Sequence, residues 1–397
     1  MRRALRETAA ILASALLLGG TACSVGGDTS PLPGTAIEPA VACTPGTPRH
    51  AAALVMIDSS LSQWARHEEI SGAAVGIVCG GALTWSAGYG VQGIDDSIPV
   101  TPATRFRIAS ITKLLTATAI LQLRDAGALA LDDPVRRHLP WFRMRRPAEV
   151  GDAPVTIRHL LTHTGGLPQD SRLTVPSRRF QPGRREAISA FPREALEATP
   201  GTRYSFSNLG YSVLGEVIAA VTGRPFATVI RDSLLVPLGM TRTLVQPIPA
   251  DTFLPPHTRG DSPESVAAIG FRDMGFAVPA GGLVSSVEDL GRLVMMQLAP
   301  YRGEDPLLLA DSSIFAMHRV QFVRDSAGGA VGFGWSVDTS SNGHVVHDGG
   351  DTPEQNAYLA VDLPRRIGII LVTNVQGIQL EGWVSEILKA LRSATGP

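Results

Sequence analysis

Strand-like sequence stands at both ends of this chain and is nearly absent between them. Residues 73–79 and 82–89 are largely apolar, and Gly80-Gly81 between them suits a tight hairpin turn. Residues 331–337, 356–361 and 367–373 are short β-rich runs separated by Gly, Asp and Pro. A lone hairpin is barely stable in water. The two groups therefore predict one sheet assembled from both ends of the sequence, an α/β (α+β) fold with a mainly helical region inserted at about residues 120–270.

Helix signals flank and fill that insert. Residues 51–69 predict a first helix. Leu114, Leu115, Ala119 and Leu123 recur at helical spacing after Ser110 and stop at Gly127, a residue suited to the left-handed position past a helix end. Asp133-Pro134 predicts an N-cap followed by a first-position proline. Thr156 is placed to cap residues 157–163, and Asn208 to cap residues 209–221 ahead of Gly223. Ser286-x-x-Asp289 resembles a capping box. Leu380, Trp383, Val384, Ile387, Leu388 and Leu391 share one face of a closing helix.

With 397 residues, 44% of them hydrophobic and 18% charged, the chain has ample material for a globular core in one large domain or two. A formal net charge of −1 supplies no field to attract nucleic acid or an anionic membrane, and the few aromatics are too scattered to stack bases. Arg143, Arg145 and Arg146, and again Arg178, Arg179, Arg184 and Arg185, lie in Pro-rich sequence and read as solvated loops.

The first 22 residues read as a signal peptide. Arg2, Arg3 and Arg6 precede an apolar run at 9–18 that is too short to span a bilayer, and small residues then allow cleavage after Ala22. The segment resembles a bacterial lipoprotein signal, which implies lipidation of Cys23 and membrane anchoring; Gly20 stands where that signal carries a branched apolar residue. Residues 23–50, rich in Gly, Pro, Ser and Thr, read as a flexible tether, and 51–397 as the functional domain of an exported, periplasmic or membrane-anchored protein. Cys43 and Cys79 are then free either to pair or to stand as an exposed and a buried thiol. Neither has metal-ligand spacing. His159-x-x-x-His163 has the spacing of a helical zinc pair, but Leu160 stands where a metalloprotease carries glutamate, so no metal and no cofactor is expected. The sequence does not fix the oligomeric state.

Of 35 basic residues only Lys113 and Lys389 are lysine. Lys113 follows Ser110 by three positions, which places both side chains on one helix face. Arginine stays protonated in a protein, whereas a buried lysine can give up its proton. Lowering a lysine by about three pH units, roughly 4 kcal/mol, makes it a base able to activate a serine hydroxyl. The serine N–H, at a helix start, is one of the unpaired donors that suit an oxyanion.

Phe106-Arg-Ile-Ala-Ser110-Ile-Thr-Lys113 resembles the nucleophile motif of the serine β-lactamase and penicillin-binding-protein family, especially its class C and esterase-like branch. The resemblance continues, in family order over about residues 55–390, through Leu131-Asp-Asp-Pro-Val135, residues 156–168, Pro200-Gly-Thr-Arg-Tyr-Ser-Phe-Ser-Asn208 and Pro237-Leu-Gly-Met240. Gly281-Gly-Leu-Val-Ser-Ser286, Gly332-Phe-Gly-Trp335 and His347-Asp-Gly-Gly350 complete it. It implies a β-lactamase/transpeptidase-like fold, an antiparallel sheet flanked by helices beside a helical region, with the active site between them. By position, Ser110 is the acylated nucleophile and Lys113 its proton-handling partner. Asn208 is the amide of the second motif, contacting substrate and Lys113. His347 and Gly349 form the third motif, and the Gly350 N–H is the second oxyanion donor.

The second motif of that family reads Tyr-x-Asn, and this chain has Phe206-Ser207-Asn208. A phenyl ring transfers no proton, and a lost acid–base group costs about 10²–10⁴ in rate. Tyr204, two residues upstream, is placed to point the same way on an extended segment. The expectation is an exported serine hydrolase acting through a Ser110 acyl-enzyme on an ester, a β-lactam or a D-amino-acid peptide. A catalytically degenerate binding protein of the cell envelope is the alternative that Phe206 raises.

Overall fold

A computed structural model describes residues 40–67, 70–92, 98–169, 171, 173–174, 182–247, 273–324, 329–339, 344–352, 355–375 and 377–395. The expected signal peptide and Cys23 lie outside the described residues. The strands are β1 (Gly72–Cys79), β2 (Ala82–Gly90), β3 (Phe106–Arg107), β4 (Leu244–Val245), β5 (Leu283–Ser285), β6 (Phe322–Val323), β7 (Ala330–Val331), β8 (Ser336–Asp338), β9 (Val345–Asp351), β10 (Asn356–Asp362) and β11 (Ile367–Thr373). The principal helices are α1 (Pro48–His67), α2 (Thr112–Asp125), α3 (Asn208–Thr222), α4 (Val287–Leu298) and α5 (Leu380–Thr395).

The two ends of the chain share one eight-stranded sheet, in the order β2-β1-β11-β10-β9-β8-β7-β6, with antiparallel pairing. The join is β1 on β11, in register from Ala73 opposite Thr373 to Cys79 opposite Ile367. Both glycines of the β1–β2 turn have positive φ, 58° and 92°, so the hairpin reads as the sequence predicts. Both faces of β1 and β11 are covered, and all their residues are buried. On one face α1 and α5 pack together, with Trp64 and Trp383 ring to ring at 5.4 Å. On the other face α4 lies close to the strands: a Cβ on Gly368 would stand 2.4 Å from the Val294 side chain, so glycine sets that approach.

Residues 331–337 are not one strand. The chain reverses at Gly334 (φ 85°), and Ala330 pairs with Val337 in a short β7–β8 hairpin, with Phe333 and Trp335 buried. Composition alone does not distinguish a bent apolar run from a straight one. Residues 43–50, inside the stretch read as a tether, are built onto the sheet. Cys43 is buried, forms a disulfide with Cys79 and donates its N–H to Arg365 O at 2.8 Å. A second sheet, β3-β5-β4, lies within the region read as helical and beside it. Its strands are two or three residues long, too short to show a period of two.

Candidate active site

The segment carrying Ser110 is held in place before any helix begins. β3 pairs with β5, and Ile108 N–H donates to Leu283 O at 3.2 Å. One 3₁₀ turn, Ala109–Ile111, then leads into α2. Ala109 has φ +44°, a left-handed backbone that costs a non-glycine residue about 1–2 kcal/mol. The turn is gripped from outside. A Cβ on Gly350 would meet Ile108 O at 2.2 Å, so strand β9 can lie against this turn only with glycine there.

From the first turn of α2, Lys113 reaches back. Its Nζ donates to Ser110 Oγ at 2.7 Å and to Ala280 O at 3.0 Å. The Phe206 ring centre lies 4.7 Å from Nζ and that of Tyr211 5.8 Å. Lys113 is 2% exposed, and this burial brings its ammonium down to about 8, against an opposite pull from the Asp348 carboxylate. Burial thus brings the neutral amine within reach nearer to neutral pH. A serine hydroxyl in contact with an amine that can be neutral is the arrangement nucleophilic catalysis requires.

The wall over Lys113 is built from two loops. His163 (φ 56°) accepts the Ser207 N–H on Nδ1 at 3.0 Å, and its carbonyl accepts the Ser205 N–H at 2.8 Å. Ser207 Oγ donates to Pro168 O and accepts from Gly210 N–H, which makes Ser207, rather than the expected Asn208, the cap of α3. The Tyr211 hydroxyl donates to Leu161 O at 2.9 Å. The His163 ring lies 4.8 Å from that of Phe206. Burial, then the Lys113 and Arg324 charges, push His163 down to about 3, so it stays a neutral acceptor. His159 serves elsewhere, closing a capping box with Thr156. Sequence reading set His163 aside as half of a zinc pair and missed that it carries the second motif.

Asn208 stands half-buried in the first turn of α3, and no hydrogen bond joins its carboxamide to Lys113. Tyr204 does not replace the missing phenol at Lys113. Its ring meets His163 edge-on, and the Arg324 guanidinium lies 5.6 Å from its ring centre.

β9 forms the opposite wall. β8 pairs with it only through His347, so residues 348–351 show an edge that β8 leaves uncovered. Successive residues of a strand alternate between faces. Gly349 and His347 pair with Tyr358 and Ala360 and share their face. There the His347 Nδ1 shares a 2.8 Å hydrogen bond with the Tyr358 hydroxyl, and the charges of Glu381 in α5, Arg324 and Asp338 act on it. Among the described residues no hydrogen bond joins the His347 ring to Ser110 or Lys113. Gly350 and Asp348 share the other face, which turns to the serine segment. Burial pushes the Asp348 carboxyl up to about 7, against the Lys113 charge and a Gly349 N–H hydrogen bond. Asp348 Oδ2 is sealed from solvent and has no hydrogen-bond partner among the described residues. Sequence reading named its neighbours and passed over it, although the parity with Gly350 carries the signal.

A sequence-family model described as Beta-lactamase matches residues 57–382. Protein flp of Staphylococcus aureus strain MRSA252 is 26% identical over 335 residues, 80% of this chain and 62% of that protein, so the chain spans 62% of that relative's length. The D-alanyl-D-alanine-carboxypeptidase/endopeptidase AmpH of Escherichia coli strain K12 is 28% identical over 281 residues, 67% of this chain and 70% of that protein. A solved structure, the Beta-Lactamase/D-Alanine Carboxypeptidase from Pseudomonas syringae, matches in fold with a TM-score of 0.71 at 20% identity, over 87% of this chain and 100% of its own.

Proposed function

This chain belongs to the beta-lactamase family of serine hydrolases, and from that premise we propose that it hydrolyses a carbonyl substrate through an acyl-enzyme on Ser110. The observation that carries the reading is the 2.7 Å contact between the half-buried Ser110 Oγ and the buried Lys113 Nζ. Lys113 in its neutral form takes the hydroxyl proton as Oγ attacks the carbonyl carbon. The ammonium so formed then protonates the leaving group. The N–H groups of Ser110 and Gly350 are the donors for the oxyanion, since Gly350 lies against the serine turn. Asn208, half-buried in the first turn of α3, is assigned to substrate contact.

Esters, β-lactams and D-amino-acid peptides all offer the carbonyl this site requires. We put D-alanyl peptides first among them, a reading supported by the name of the AmpH relative. The protein works outside the cytoplasm, a reading supported by the Cys43–Cys79 disulfide, which persists in oxidising compartments. Anchoring through a lipidated Cys23 belongs to the same proposal. Phe206 favours one second reading, a protein that binds such ligands without turning them over, because its ring occupies the place of a proton-transferring hydroxyl over Nζ.

A fluorescent acylating probe separates the two. Wild type is expected to label at one equivalent and Ser110→Ala not at all; labelling that survives the substitution removes Ser110 as nucleophile. Turnover of an ester, a chromogenic β-lactam and a D-alanyl peptide, measured side by side, then decides between hydrolysis and binding.

A further inference from the structure

The pocket holds a second charged group that the nucleophile motif does not account for. Asp348 lies on the face of β9 that Gly350 presses against Ile108 and Ala109, and β8 stops short of it. Its Oδ2 is shut off from solvent and has no hydrogen-bond partner among the described residues. An ionised oxygen in that state is costly unless an opposite charge shares its surroundings. Among the described residues, the groups that act on Asp348 or feel its charge are Lys113 on α2, Tyr204 in the loop before α3, Tyr211 on α3, Tyr358 on β10 and its neighbour's Gly349 N–H. Burial keeps all three phenols protonated and His163 beside Lys113 neutral, and the Arg324 cation acts on Tyr204, Tyr358 and His163; among the described residues Lys113 is the charge that acts on the carboxylate itself. The dependence is mutual. Among the described residues Lys113 Nζ makes hydrogen bonds to Ser110 Oγ and Ala280 O and to no carboxylate. A buried ammonium and a buried carboxylate, each without another counter-ion, stabilise one another through space.

Resting on the reading of Ser110 as nucleophile, we propose that Asp348 is the counter-charge of Lys113, a positioning residue that decides at what acidity Lys113 frees its lone pair for Ser110. No bond forms or breaks at Asp348 in the acylation step. Its ionised form holds the proton on Nζ, and the pocket sheds protons as a coupled pair. Asp348 therefore sets the acid limit of the reaction while strengthening Lys113 as a base once neutral.

The test is the rate of Ser110 acylation by a chromogenic ester across about pH 5.5 to 9.5, for wild type, Asp348→Asn and Asp348→Glu. Loss of the carboxylate is expected to move the midpoint of the rising limb down by about one pH unit or more, to reduce the limb to a single ionisation, and to lower the alkaline plateau about three- to tenfold. The Asp348→Asn and wild-type curves then cross, the variant being faster at the acid end. Asp348→Glu keeps the charge and is expected to keep the wild-type midpoint. Asp348→Ser supplies the neutral comparison if the carboxamide variant does not fold. A midpoint unmoved in the neutral variants, or one moved equally by glutamate, overturns the counter-charge. Adduct mass after digestion keeps the two readings apart. Wild type lacking acyl on Ser110 sinks both, whereas labelled Ser110 with superposed pH profiles sinks only the role of Asp348.

Discussion

The two walls of the cleft are built on opposite terms. The loop wall, residues 156–168 together with 204–211, satisfies its polar groups: His163, Ser207 and Tyr211 each have a hydrogen-bond partner, and His163 stays neutral well into acid. The strand wall leaves an uncovered edge at 348–351 and a sealed carboxylate oxygen with no hydrogen-bond partner among the described residues. Buried polar groups that are fully paired make a template, because moving any of them costs about 1–3 kcal/mol. A buried group left unpaired stays responsive to its neighbours' charge. The first wall holds shape and the second holds chemistry.

The largest effect expected from this contrast lies at Lys113. Lys113→Arg keeps a cation facing Asp348 but removes any neutral form, and Ser110 acylation is expected to fall by about 10³-fold or more in stopped-flow assays. A loss below tenfold would mean that the proton leaves by another route. Next in size is the template. His163→Leu fills the space but strands the Ser207 N–H, and urea unfolding is expected to show a loss of about 1–3 kcal/mol with Ser110 still open to labelling. If stability is untouched while acylation vanishes, the loop wall is chemical after all. The smallest effect is assigned to His347. Because its ring is held by Tyr358 on the far face of β9, His347→Ala is expected to change kcat/KM by no more than about threefold. A fall rivalling that of Lys113→Arg would return the ring to the cleft.

Local chemistry made much of the fold legible. Gly80-Gly81 marked the β1–β2 turn, residues 367–373 coincide with β11, and Thr156 and Ser286 cap the helices they precede. What escaped depends on contacts far along the chain. Gly334 bends a run whose composition suits a straight strand. Pro134 proved to be the residue before its helix and not the first within it, since Asp133 spends its carboxylate on Arg137, His138 and the Ala130 N–H. At the site, Ser110 and Lys113 were legible because three residues of helix bring them together. Which neighbour on β9 faces them was not, because that follows from the pairing of 349 with 358 and from the glycine that admits Ile108.

The left-handed backbone at Ala109 reaches beyond the cleft. A peptide of residues 106–113 alone has no reason to adopt it, since an alanine there relaxes downhill. It persists where Leu283 anchors the segment and the edge of the sheet bears down on it, two supports drawn from far along the chain. The serine and lysine therefore take up this arrangement only once both supports have formed, so the geometry of the nucleophile depends on the assembled sheet.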